Sequence, residues 1–133
     1  MNKRLLTTLL LSVFILGVLF GVSLTIAQAS YVDVTPPEAK ALIEKTPDIV
    51  IIDVSPAYAK GHLPNAVNYF IGDGSLDKAI PTLDKNKTYL VYCHVDSVAI
   101  QGAQKLVDAG FTKVYRLAGN FKAWVDAGYP IEK

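Results

Sequence analysis

The hydrophobic pattern divides the chain into an apolar first segment and an alternating remainder. Leu5 to Ala27 contains no charged residue, and Lys3 and Arg4 stand just before it. Beyond this segment, short apolar runs alternate with stretches in which apolar residues recur at helical spacing. Such alternation is typical of β-α-β units around a parallel sheet. The pattern therefore predicts an α/β domain at residues 30–133, preceded by a targeting or membrane segment at residues 1–29.

Two of the apolar runs, residues 49–52 and 88–92, have almost no polar position, which predicts strands buried on both faces. The sequence Thr35-Pro36-Pro37-Glu38 has the form of a capping box and predicts the start of a helix. The other predicted elements are strands at 67–70 and 113–117, helices at 98–109 and 120–127, and single helical turns at 56–60 and about 75–80.

The apolar first segment has two interpretations. Ala27-Gln28-Ala29 is a small-x-small site of the kind that signal peptidases cut, which would leave Ser30 as the first mature residue. Residues 5–27 are also long enough to cross a bilayer as an uncleaved helix, which would make the membrane a partner. In either case the basic end stays inside and residues 30–133 are expected outside the cytoplasm.

Charge and cysteine content narrow the range of functions. The chain has 13 basic and 12 acidic residues, and two of the basic ones precede the apolar segment. The remaining part is nearly neutral and has no basic cluster, so nucleic acid is not an expected partner. Its single cysteine, Cys93, cannot form an intramolecular disulfide. A free thiol in an exported protein is open to oxidation and adds no cross-link.

Cys93 directly follows the buried run 88–92 and precedes a predicted helix. Ligands and chemistry gather at the carboxyl edge of open α/β sheets, and a helix start favours an anion. We therefore expect Cys93 to be a nucleophile whose pKa lies below the free-thiol value. The alternative is a buried, inert cysteine, which is common in protein cores.

Several blocks of the chain resemble the rhodanese family of sulfurtransferases, and their order and spacing match it over residues 31–131. The matching blocks are residues 51–54, 61–68, 90–93, 104–111 and 114–117, followed by Gly119, Trp124 and Gly128-Tyr129-Pro130. The resemblance implies a five-stranded parallel sheet flanked by helices. It also implies a loop whose backbone amides surround the sulfur of Cys93, with Asp53 as a possible supporting residue at the end of a neighbouring strand.

In that family the cysteine takes sulfane sulfur from a donor, rests as a persulfide, and passes the sulfur to a thiol or protein acceptor. The resemblance implies the same role for Cys93, as covalent catalysis with no metal or organic cofactor. Two alternatives remain open. One is a catalytically weak rhodanese-fold module that binds a partner at the outer membrane surface, and the other is a redox thiol that cycles through oxidised states.

The loop departs from the family pattern. It consists of Cys93 followed by His94, Val95, Asp96, Ser97 and Val98. Active members commonly carry arginine early in the loop and again at its sixth position, and often also at the position of Ser55. Without these cations, and with Asp96 adding a negative charge, we expect weak use of thiosulfate. The absence of arginine at Val98 also argues against the protein phosphatases that share this fold.

The loop side chains themselves allow more than one role. His94 could supply a proton or a partial positive charge, or simply face solvent. Asp96 could orient His94 or form the turn, and Ser97 could donate to a persulfide or cap the helix. Arg116 is expected in a salt bridge or in solvent. For His62, Trp124 and Asp53, structural hydrogen bonds or packing are the expected roles.

Overall fold

A computed structural model describes residues 29–133 of the chain. The signal peptide or membrane anchor expected at residues 1–29 therefore lies outside the described residues, apart from Ala29. Within the described part, no helix combines the length and the apolar character needed to cross a membrane.

Within residues 29–133, five parallel strands form a single sheet, which confirms the architecture that the resemblance implied. The spatial order is β1-β5-β4-β2-β3, so β4 lies at the centre of the sheet with β5 and β2 on its two sides. The strands are β1 Val32–Val34, β2 Val50–Asp53, β3 Val67–Asn68, β4 Tyr89–Tyr92 and β5 Val114–Leu117.

Four α-helices in the described part of the chain connect and cover the strands. They are α1 Pro36–Lys45, α2 Ser75–Ala79, α3 Asp96–Asp108 and α4 Asn120–Asp126, with 3-10 turns at Tyr58–Lys60, Ile71–Asp73 and Ile80–Thr82. The predicted capping box at the start of α1 is confirmed. Thr35 Oγ1 accepts the Glu38 N–H at 3.4 Å, and the Thr35 N–H donates to Glu38 Oε2 at 2.7 Å.

The central strand β4 is buried on both faces, as its unbroken apolar sequence predicted. Tyr89, Val91 and the following Cys93 belong to the core on the side of α3, whereas Leu90 and Tyr92 belong to the core that contains Ala39 of α1 and Trp124 of α4. Each fully buried apolar side chain contributes roughly 1.5–3 kcal/mol relative to exposure. Burial on both faces therefore fixes the position of β4 and, with it, the position of Cys93 at its carboxyl end.

Three features differ from the sequence pattern, and the first is that β3 ends at Asn68 rather than at Phe70. The short strand β1 was not predicted, because Val32 is 52% exposed and so lacks a buried-strand pattern. It forms by pairing with β5, where Asp33 is the partner of Arg116. The helix after Cys93 begins at Asp96 rather than Val98. Its N-cap is Val95, which makes no side-chain capping bond, so contacts from elsewhere in the fold must hold this end.

Candidate active site

Cys93 leaves the carboxyl end of β4 and is held on both sides of its backbone by the start of α4. Its N–H donates to Asn120 Oδ1 at 3.2 Å, and its carbonyl accepts the Phe121 N–H at 3.1 Å. The residue is only 2% exposed. The cysteine therefore lies at the sheet edge that the sequence predicted, but just beneath the surface of the protein.

The five residues after Cys93 do not all lie in an open loop. Asp96, Ser97 and Val98 form the first turn of α3, so only His94 and Val95 lie between the cysteine and the helix. Val95, Asp96 and Ser97 are exposed, while Val98 packs against the core cluster that includes Cys93. A capping role for Ser97 is wrong, since Val95 occupies the N-cap position.

Asp96 is not the free negative charge that the sequence suggested. Its Oδ1 accepts hydrogen bonds from Arg116 Nη1 at 2.5 Å and from Asn120 Nδ2 at 2.7 Å. Arg116 is buried, and its Nε donates to Asp33 Oδ1 at 2.7 Å. The hydrogen bonds that the guanidinium donates to Asp33 and Asp96 raise the pKa of Arg116. The expected ion pair of Arg116 is confirmed, and Asp96 is one of its two carboxylate partners.

Asn120 is a site residue that the sequence did not single out. Its φ of 59° lies in the left-handed region, which is uncommon for any residue other than glycine. The preceding Gly119 has φ of 75°, and a Cβ there would approach Ala123 Cβ to 2.6 Å. This strained turn aims one amide side chain at both the Cys93 N–H and Asp96. The Gly-Asn pair at the start of the predicted helix 120–127 could have pointed to this residue, because asparagine tolerates the left-handed conformation.

Asp53 ends β2 with its side chain fully buried. Its Oδ1 accepts the Ser55 N–H at 2.8 Å, which confirms the expected hydrogen bond to nearby backbone. His94 Nε2 lies 3.8 Å from its other oxygen, Oδ2. The imidazole ring of His94 also stacks on Phe121, with ring centroids 4.4 Å apart. His94 is therefore partly covered and does not simply face solvent.

The surroundings of Cys93 have opposing effects on the pKa of its thiol. Burial raises the pKa of Cys93, while the backbone N–H groups of Val95 and His94 lower it, and the charge of Asp53 raises it. The net direction is upward. The expectation of a lowered pKa at the helix start is therefore wrong, because loss of solvent around the sulfur outweighs the nearby amides.

This direction predicts slow alkylation of Cys93 at neutral pH. A raised pKa keeps the thiol protonated until the solution pH exceeds the free-thiol value of about 8.5, so the rate should rise with pH and reach its midpoint above that value. The measurement is the rate of iodoacetamide alkylation between about pH 6 and pH 10. The urea-unfolded protein is the control, and a folded-state midpoint below the unfolded one would contradict the prediction.

The other residues considered in the sequence have structural roles. His62 Nδ1 lies 3.0 Å from the Tyr58 carbonyl oxygen, and its ring stacks on that of Tyr58. Trp124 is buried and donates to the Pro130 carbonyl at 2.9 Å. Both expectations are confirmed. Across residues 29–133, no group of three or more histidine, cysteine, aspartate or glutamate side chains is arranged to hold a metal ion.

Comparison with known proteins places this fold in one family. Residues 35–127 match the model of the Rhodanese-like domain, so the chain belongs to the rhodanese-like domain family. The chain is 36% identical over 96 residues to thiosulfate sulfurtransferase GlpE from Coxiella burnetii, covering 71% of this chain and 87% of that protein. The solution structure of the rhodanese-like domain of Alr3790 from Anabaena is 30% identical with a TM-score of 0.66, and the match covers 80% of each chain.

A third similar protein bears on the phosphatase alternative. RPA3614 from Rhodopseudomonas palustris, described as a possible tyrosine phosphatase, is 26% identical with a TM-score of 0.67, and the match covers 77% of this chain and 85% of that one. Arg116 is the only arginine among residues 29–133, and it is buried between Asp33 and Asp96. It is therefore engaged and cannot also clamp a phosphate from the loop.

Proposed function

We propose that this protein is a sulfurtransferase or persulfide carrier in which Cys93 accepts and donates sulfane sulfur. The observation that supports this most is the placement of the cysteine at the carboxyl end of the central strand. There the Asn120 side chain and the start of α4 fix its backbone, within a chain of the rhodanese-like family. A cysteine needed only for packing would not require such a strained positioning residue.

The proposed reaction consists of two displacements. The Cys93 thiolate attacks the outer sulfur of a donor persulfide, the donor S–S bond breaks, and the donor leaves as a thiolate. A new S–S bond on Cys93 leaves a persulfide anion there. An acceptor thiolate then attacks the outer sulfur of that persulfide, and Cys93 returns to the thiolate form. No oxidant is required, because sulfane sulfur moves between thiols at constant oxidation level.

The charges around the loop favour donors that carry little negative charge. Thiosulfate is a dianion, and positions 55, 94 and 98 hold serine, histidine and valine rather than arginine. Asp96 opposes an anion less than a free carboxylate would, because it pairs with Arg116, which it shares with Asp33. The lack of a free arginine remains as the reason for weak thiosulfate use. A persulfide or a neutral polysulfide is therefore the proposed donor, and a thiol or protein the acceptor.

Replacing Val98 by arginine should increase sulfur transfer from thiosulfate more than transfer from a neutral polysulfide. The new guanidinium can form two hydrogen bonds to an anionic donor, and we expect roughly a tenfold gain for thiosulfate. Val98 packs against the core, so some loss of stability accompanies the change. Transfer rates for both donors are measured on each protein, with Ile100→Arg, an exposed α3 position, as the control. An equal gain for both donors would contradict the charge argument.

Location outside the cytoplasm is part of the proposal. It is supported by the uncharged segment Leu5 to Ala27 behind Lys3 and Arg4, which suits either a signal peptide cut after Ala29 or a membrane anchor. The test is cell fractionation of the full chain combined with N-terminal sequencing. Recovery of the full-length protein in the soluble cytoplasmic fraction would overturn this part of the proposal.

Intact-mass analysis after treatment with a persulfide donor tests the function itself. Sulfur transfer predicts that the wild-type protein gains the mass of one sulfur atom, that reducing agent removes it, and that Cys93→Ser never gains it. A module that only binds a partner would gain nothing. A redox thiol treated with peroxide would instead gain oxygen, and its sulfenic acid would condense with a small thiol to a mixed disulfide with loss of water. It would not pass sulfur to an added thiol.

A further inference from the structure

Asp53 and His94 each have one buried polar side-chain atom, and these two atoms lie near each other beside the proposed nucleophile. Asp53 Oδ2 and His94 Nε2 are both inaccessible to solvent, and neither has a hydrogen-bond partner within residues 29–133. The two atoms are 3.8 Å apart. Burying a carboxylate oxygen without a donor is unfavourable. A proton on Nε2 and a slight approach of the ring would give both atoms a partner.

The imidazole is held where this pairing affects the cysteine. His94 is the residue after Cys93, and its ring stacks on Phe121, whose N–H binds the Cys93 carbonyl. The charge of Asp53 acts on the Cys93 sulfur and opposes formation of the thiolate. Neutralising that carboxylate should therefore help the nucleophile, even without direct contact between the imidazole and the sulfur.

No other cation in the described part of the site is free to do this. Arg116 is bound between Asp33 and Asp96, and Val98 occupies the loop position where the family often has arginine. Tyr92, on β4, also lies close to Asp53. Burial and the charge of Asp53 raise the pKa of its phenol, so the neutral hydroxyl interacts with the carboxylate without supplying a compensating charge.

We propose that protonated His94 is the counter-ion of Asp53 and thereby a positioning residue for Cys93. The imidazolium and the buried carboxylate form a neutral pair, so the thiolate develops without facing an uncompensated anion. The role rests on the proposed function, because the pair matters only where Cys93 is used as a nucleophile. It gives the site an activating cation of a different kind from the loop arginines of the family.

A double-mutant cycle on the full chain tests the pairing. His94→Phe keeps an aromatic ring against Phe121 but removes the charge, and Asp53→Asn keeps an oxygen for the Ser55 N–H. The readout is the alkylation rate of the reduced Cys93 thiol at pH 7. Thermal unfolding and near-UV circular dichroism of each variant establish that it is folded. His94→Gln replaces His94→Phe in the cycle if the phenylalanine variant does not fold.

The expected signature is a reversal in the effect of Asp53→Asn. His94→Phe alone should slow alkylation about tenfold, because an uncompensated carboxylate raises the pKa of the thiol by about one unit. Asp53→Asn should change the rate less than about threefold when His94 is present, yet restore most of the loss when it is absent. If Asp53→Asn gives no recovery in the His94→Phe protein, or if His94→Phe reacts at the wild-type rate, the inference is overturned.

Recovery of the alkylation rate by Asp53→Asn in the His94→Phe protein is the readout that a purely structural role of His94 would not give. Alkylation requires no sulfur donor, so failure of sulfur transfer and failure of this pairing are separate results.

Discussion

Replacing Cys93 by serine should reduce sulfur transfer from a persulfide donor to a thiol acceptor by about a thousandfold or more, down to the uncatalysed rate. The reason is chemical, because a hydroxyl at neutral pH neither attacks sulfane sulfur nor holds it as a stable intermediate. The chain has no second cysteine that could take over. Steady-state rates are measured with both substrates in excess, and the background rate without protein is subtracted.

Cys93 is buried, so loss of activity must be separated from loss of folding. Serine differs from cysteine by one atom, and we expect the unfolding midpoint of Cys93→Ser to stay near that of the wild type. Gln101→Ala, at an exposed position of α3, is the matched control and should keep the wild-type rate. Transfer that survives in a folded Cys93→Ser protein would overturn the assignment of the nucleophile.

The double variant Asp33→Asn with Asp96→Asn should lower the free energy of unfolding by about 3 kcal/mol, more than the two single changes added together. Arg116 is 7% exposed and has these two carboxylates as its ion-pair partners among residues 29–133. Each single variant leaves one counter-ion in place. The double variant leaves a buried cation with none, which is the costly case.

Urea unfolding of the wild type, both single variants and the double variant measures this coupling. Asp126→Asn is the control, because its ion pair with Lys122 lies on the exposed face of α4 and should contribute less than about 1 kcal/mol. Adding Arg116→Met to the double variant should recover much of the lost stability, since it removes the uncompensated charge. If the losses of unfolding free energy in the two single variants simply add, Arg116 is hydrated well enough to need no counter-ion, and the prediction is wrong.

The same ion pairs change how donor preference is explained. The sequence led us to expect Asp96 as a loop carboxylate that would repel thiosulfate. In the fold, Arg116 and Asn120 hold that carboxylate at the first turn of α3. Asp96→Asn should therefore act mainly through stability and loop geometry, rather than by relieving repulsion of an anion. Any preference for persulfide donors then depends on the arginines that the loop lacks.

The sequence by itself determined four of the five strands, the order of the main elements and the position of the cysteine. Residues 89–92 have no break in their apolar pattern, which requires a strand with both faces covered, and the next residue is Cys93. The capping box at Thr35 is an equally local signal. Such features are readable because each depends on residues that are neighbours along the chain.

Only the tertiary structure decided which groups surround Cys93. Asp33 and Arg116 are 83 positions apart, and Asp96 and Asn120 are 24 apart, yet they form one connected network beneath the cysteine. Neither the strand β1, which exists by pairing with β5, nor the early start of α3 has a local pattern that predicts it. The raised pKa of Cys93 likewise comes from burial by side chains of separate elements. The spacing of residues along the sequence does not reveal how deeply the thiol is buried.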